Sequence, residues 1–266
     1  MTQPSISIQL WTVRNQLEQD QDSTLARLSE IGFTRVEAFG FVEKADDLAA
    51  AFARHGLTAP TAHASLASDV ENPFTDLTAP SLDEVFDAAT KLGATTVFDP
   101  FVAPERWETF EEIAKTAELL NAASAAAAKH GITVGYHNHN QEFLNLIDGR
   151  FALEVAADLL APEVVLELDL YWAAAGGADV AALVERLGER VVALHMKDGT
   201  LDPRPTLDVV PTDQVPAGAG AVELAAGLEA AHFAQYAIVE FDEYQGDMWQ
   251  GITDSFAYLE SLGAQR

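Results

Sequence analysis

The chain of 266 residues contains no cysteine, which removes disulfides, thiolate-held metals and cysteine nucleophiles together. Basic side chains are also scarce. Lys and Arg number 15 against 42 Asp and Glu, and 15 − 42 gives a net charge of −27 with neutral histidines. A protein whose affinity comes from neutralising phosphates needs the opposite balance, so no nucleic-acid partner is expected. No run approaches the ~18 uninterrupted apolar residues of a membrane span. Met1-Thr2-Gln3-Pro4 shows no basic stretch followed by an apolar one, so no signal peptide is expected. A soluble cytoplasmic protein is the default expectation, with the surface acidity serving mainly solubility.

What is present is a regular alternation of short apolar runs and helical patterns. The runs are Ser5–Leu10, Val36–Phe39, Leu57–Ser65, Thr95–Phe98, Ile132–His139, Val164–Leu170, Val191–Lys197 and Tyr236–Phe241. Between them lie helix signals with capping starts and glycine stops, such as Ser81-Leu82-Asp83-Glu84 opening a helix that ends at Gly93. Eight strand-then-helix units in this length predict a single-domain (β/α)8 TIM barrel over residues 1–266. The loops after strands 3, 5 and 7 are the long ones. The stretch 199–220 carries Pro203, Pro205, Pro211 and Pro216, and a substrate-covering role is expected of it.

The polar residues at strand C-terminal ends carry the chemical signal, because a barrel brings these ends to one rim. His137 and His139 share a face of strand 5, and Glu142 follows in the loop. Strand 6 presents Glu167 and Asp169, strand 7 His195 and Lys197, and strand 8 Glu240 and Asp242. Singly, a strand-end acid most often caps the next helix. Four successive strands ending this way would bury several acids without a counter-charge, at high cost. A divalent cation supplies that charge, and sulfur-free ligands suit Mn²⁺, Co²⁺, Zn²⁺ or Mg²⁺.

At these residues the chain resembles the sugar phosphate isomerase/epimerase family of xylose isomerase-like TIM barrels. The resemblance rests on Gln9-Leu10-Trp11-Thr12-Val13-Arg14, Tyr136-His137-Asn138-His139-Asn140-Gln141-Glu142-Phe143 and Asp169-Leu170-Tyr171-Trp172. It continues through His195-Met196-Lys197-Asp198, Pro216-Ala217-Gly218-Ala219-Gly220 and Val239-Glu240-Phe241-Asp242, so it spans the chain in order. It implies one divalent metal at the C-terminal rim, with Asp169, His195 and Glu240 on three ligand positions. Glu142 is taken as the fourth ligand, with His137 as the substitute candidate.

The implied chemistry is proton transfer next to a carbonyl through an enediolate, on a ketose, inosose or keto-sugar. Glu240, His139 and Glu142 are the expected acid/base groups, and Lys197 the donor to developing negative charge. Trp11, Glu37, His63, His137 and Trp172 are expected to contact the carbohydrate. A metal-dependent dehydratase or 3-keto-glycoside lyase is the alternative on the same site. Less favoured are an apurinic endonuclease-like hydrolase, which the net charge opposes, and a non-catalytic carbohydrate-binding protein. The resemblance also raises homo-oligomerisation as an expectation.

Overall fold

The computed structural model describes residues 3–67, 79–206 and 211–266. Eight strands form one parallel sheet: β1 (Ser5–Ile8), β2 (Arg35–Phe39), β3 (Thr58–His63), β4 (Thr96–Asp99), β5 (Thr133–His137), β6 (Val165–Asp169), β7 (Val191–His195) and β8 (Tyr236–Val239). From β2 to β8 each strand pairs with the next in sequence, and β8 returns to β1 in register from Ser5↔Tyr236 to Ile8↔Val239. The circuit is nearly closed, with β1 and β2 joined by the single bridge Gln9↔Glu37. This is a (β/α)8 TIM barrel. Helices cover the outside and side chains fill the inside, so residues on both faces of the strands are buried.

Part of the acidic excess is used at helix starts. Asp20, Asp179 and Asp247 each accept from a backbone N–H in the first turn of the helices Gln21–Ile31, Val180–Leu187 and Met248–Ser261. Ser81 and Glu84 form a reciprocal capping box, and the helix they open, Leu82–Leu92, ends at Gly93 with φ +86°.

Inside the barrel, Phe98, Ala193 and Ile238 pack as an apolar cluster. Gly135 makes room for it, since a Cβ there would lie 2.4 Å from Phe98 Cδ1. The polar side chains of the rim therefore stand on an apolar floor.

The strands stop earlier than the hydrophobic pattern predicts: β1 at Ile8, β5 at His137, β7 at His195 and β8 at Val239. Side chains end the ladders by taking over backbone groups. Gln9 Oε1 accepts from Trp11 N at 3.1 Å and turns the chain into a 3-10 helix, Leu10–Val13. The Asn138 amide accepts from Asp169 N at 2.9 Å and donates to Asp169 O at 3.2 Å. Short helices, Arg14–Gln19 and Leu170–Ala175, follow β1 and β6, and a further one, Leu224–Ala230, precedes β8.

Of the long loops, residues 68–78 after β3 and 207–210 after β7 lie outside the described residues. The described part of the latter folds back on itself, Asp198–Gly199 pairing antiparallel with Gln214–Val215. The Asp198 carboxylate gathers it, accepting from the backbone N–H of Gly199, Gly218, Gly220 and Val222. Among the described residues no helix is long and apolar enough to cross a membrane.

Candidate metal centre

Side chains two apart on a strand point the same way, so the barrel stacks the polar residues of the rim in two layers. The upper layer takes one donor atom each from His137, Asp169, His195 and Glu240, all within 4.8 Å of one another. The lower layer contains a second such group, His63, His137, Glu167 and His195. Glu37 adjoins it, with Oε1 2.8 Å from His195 Nε2 and 3.1 Å from His63 Nε2. His195 joins the layers, because its Nδ1 lies 2.6 Å from Glu240 Oε2. Lys197 closes the upper layer, with Nζ 3.0 Å from Asp169, 2.9 Å from Glu240 and 2.9 Å from Asp242.

The electrostatics follow from crowding charges in a buried site. Burial opposes a charged His63, but Glu37 and Glu167 outweigh it and raise the ring to about 10. Burial likewise opposes ionised Glu240, and the Lys197 and His195 charges hold it below the usual carboxylate range. Asp169 goes the other way, pushed up to about 6 chiefly by burial. His139 is pushed down to about 3 by burial and by Lys197, so its ring is neutral near pH 7.

Asp169 divides its oxygens between two tasks. Oδ1 accepts from Trp172 N at 2.9 Å, the helix cap that a lone strand-end acid predicts. Oδ2 is buried and accepts no hydrogen bond, although the Lys197 ammonium is close.

Of the residues singled out in the sequence, the barrel gathers Glu37, His63, His137, Asp169, His195, Lys197 and Glu240. His139 sits just beyond β5, its ring 5.1 Å from His137 and 5.7 Å from Trp172. His139 Nδ1 and Trp172 Nε1 are buried atoms without a hydrogen-bond partner. Trp11 stays at the edge, 39% exposed, packed edge-on to Phe39 with the Arg14 guanidinium over its ring.

Glu142 is not among the gathered donors. Its Oε1 accepts from the Tyr136 hydroxyl and its Oε2 from His139 N at 3.0 Å. Two further residues belong to the site: Glu167, whose place on strand 6 is legible in the sequence but whose role is not, and Gln9. Glu167 shares the inward face with Asp169, the one signal available, while Gln9 Nε2 donates to Glu37 Oε1 at 2.9 Å.

Burial pushes Glu142 up to about 7 from an ordinary 4.5, despite the hydrogen bonds it accepts. With the folded pKa raised, the native state holds more protons than the unfolded chain between these values. This contribution is fully favourable below pH 4.5 and falls as pH rises towards 7, at up to about 1.4 kcal/mol per pH unit. Glu142→Gln cannot titrate. Wild-type stability minus that of Glu142→Gln should therefore fall by on the order of 3 kcal/mol across this window. Urea unfolding of both metal-free proteins at several pH values measures it, and a flat difference would show that the carboxyl titrates normally.

The family model for xylose isomerase-like TIM barrels matches residues 25–262. No curated protein matches the chain. Among solved structures, the chain is similar to a sugar phosphate isomerase/epimerase from Parabacteroides distasonis. The identity is 23% and the TM-score 0.78, covering 98% of this chain and 95% of the other. It is also similar to the IOLI protein with a bound zinc atom, at 19% identity and TM-score 0.70 over 97% of both chains. A third similar structure is a probable 3-DHS dehydratase involved in petrobactin synthesis from Bacillus anthracis. Its identity is 15% and its TM-score 0.73, covering 98% of this chain and 100% of the other. At these identities the likeness is one of fold.

Proposed function

The chain belongs to the xylose isomerase-like TIM barrel family, and from that premise we propose a divalent-metal-dependent isomerase or epimerase of ketoses, inososes or keto-sugars. The observation that carries this reading is the convergence of His137, Asp169, His195 and Glu240 from four consecutive strands of the barrel. The set fits a metal. Its donors are nitrogen and oxygen only, it is buried, and Asp169 Oδ2 accepts no hydrogen bond. Such donors suit Mn²⁺, Co²⁺, Zn²⁺ or Mg²⁺. His137 takes the fourth place in preference to Glu142, whose two oxygens are engaged by Tyr136 and the His139 N–H.

His137, Asp169, His195 and Glu240 would hold the ion, which would supply Lewis acidity to a C–H next to a substrate carbonyl. The chain's own groups do the rest. His139, neutral near pH 7 and with an unpartnered Nδ1, accepts the proton and returns it. Glu240, ionised, is the second acid/base candidate. Lys197 presents a fixed ammonium to the negative charge that develops on substrate oxygen. Trp172, its ring beside His139 and its Nε1–H unpartnered, supplies an apolar wall and a donor for a sugar hydroxyl.

The test is solvent deuterium exchange by the metal-loaded protein into a panel of ketoses, inososes and 3-keto glycosides. Incorporation at one carbon next to a carbonyl is expected. Loss of water or of an aglycone instead would move the assignment to a dehydratase or lyase, and no turnover across the panel would overturn it.

A further inference from the structure

Beneath the four proposed ligands lies a layer of acids and imidazoles that the proton transfer does not use, with Glu37 and Glu167 fully buried and His63 nearly so. A neutral imidazole offers one lone pair and one N–H. A metal-held ring gives the lone pair to the ion and needs an acceptor for the N–H.

Both proposed histidine ligands meet such an acceptor on one side. His137 Nδ1 lies 3.1 Å from Glu167 Oε2, while its Nε2 faces Asp169, 3.9 Å from Oδ2. His195 Nε2 lies 2.8 Å from Glu37 Oε1, while its Nδ1 faces Glu240 in the upper layer. The two acids are themselves fixed. His63 Nε2 sits between them, 2.6 Å from Glu167 Oε2 and 3.1 Å from Glu37 Oε1. Its ring is stacked on that of His195, 5.6 Å away and only 10° from parallel.

We infer that Glu37 and Glu167 are positioning residues that fix the tautomers of His195 and His137, and that His63 cross-links them. Glu37 accepts a hydrogen bond from Nε2–H of His195, and Glu167 accepts one from Nδ1–H of His137. Nδ1 of His195 and Nε2 of His137 are thereby left as lone pairs for one shared ion. The inference rests on the metal reading above. It also says why the lower layer is not a second metal site: a metal-held His195, neutral once the ion is bound, cannot give a lone pair to both layers. His63 and Glu37 then act behind the ligands and do not contact the sugar.

Nitrogen-15 NMR of the histidine-labelled full chain, loaded with Zn²⁺, reads the tautomers directly. The expected result is Nε2–H on His195 and Nδ1–H on His137. Zn²⁺ affinity should fall about 10- to 100-fold in Glu167→Gln and in Glu37→Gln, with one zinc per chain in the wild type. If either variant fails to fold, the wild-type tautomers still decide. Opposite tautomers, unchanged zinc affinity in both variants, or a second zinc lost in His63→Ala would each overturn the assignment while leaving the metal reading intact. A wild-type chain that takes up no zinc would overturn that reading, and this inference with it.

Discussion

His195→Ala is expected to lose both metal and turnover. The wild type should retain about one divalent ion per chain after dialysis and the variant less than about a tenth, with activity falling by roughly 10³-fold or more. His195 is the node of the site. Its Nδ1 lies beside Glu240 and its Nε2 beside Glu37 and Glu167, and the residue is fully buried. Truncation therefore removes a proposed ligand and leaves two carboxylates of the lower layer with less counter-charge. Loss of an outer acceptor costs about 10- to 100-fold in metal affinity, and loss of a direct donor should cost more. Elemental analysis alongside circular dichroism separates this from unfolding, and His195→Gln, closer in volume, is the second variant. A folded His195→Ala protein that keeps its full metal would show that the upper layer is not the metal site.

How far the sequence leads depends on the direction in which each residue is fixed. The barrel is legible because short apolar runs recur eight times, and most are followed by a helix with a capping start or a glycine stop, each a local signal. Asp169, His195 and Glu240 are legible because strand ends of a barrel converge whatever the loops do. Glu142 shows where this stops. Its spacing places it near the rim, but the orientation of the 3-10 turn Gln141–Phe143 is set by tertiary contacts. Tyr136, which alternates with His137 along β5, captures it through its hydroxyl. Glu167 is obscured for the opposite reason. It lies one layer below Asp169, where barrel interiors are normally filled with apolar side chains. Only the histidines brought in from β3, β5 and β7 explain a carboxylate there.

Lys197→Met is expected to lower the melting temperature of the metal-free protein markedly at neutral pH, and much less at pH 4. Lys197 is fully buried, and its ammonium contacts Asp169, Glu240 and Asp242. Burial opposes its charge, but these three acids keep it well above the usual lysine range, so it stays charged. Methionine preserves much of the volume and deletes the charge. Breaking a buried ion pair from one side costs about 3–5 kcal/mol, which corresponds to roughly 6–20 °C for a domain of this size. The sign of the pH dependence follows from the acids. Without the ammonium, Asp169, already raised by burial, rises further, and Glu240 loses the largest charge that holds its carboxyl down. The penalty is then complete above the folded values and disappears as pH falls below the unfolded values near 4. A bound divalent ion restores positive charge beside Asp169 and Glu240, so metal should return part of the lost stability to Lys197→Met. Turnover should still fall by about 10²- to 10³-fold, the usual cost of removing a donor to developing oxyanion charge. Calorimetry at pH 4 and pH 8, with and without metal, measures all of the stability terms. Equal melting temperatures for wild type and variant at pH 8 without metal would mean that the three acids are not held by Lys197. The structure would then need another source of positive charge at the centre of the barrel.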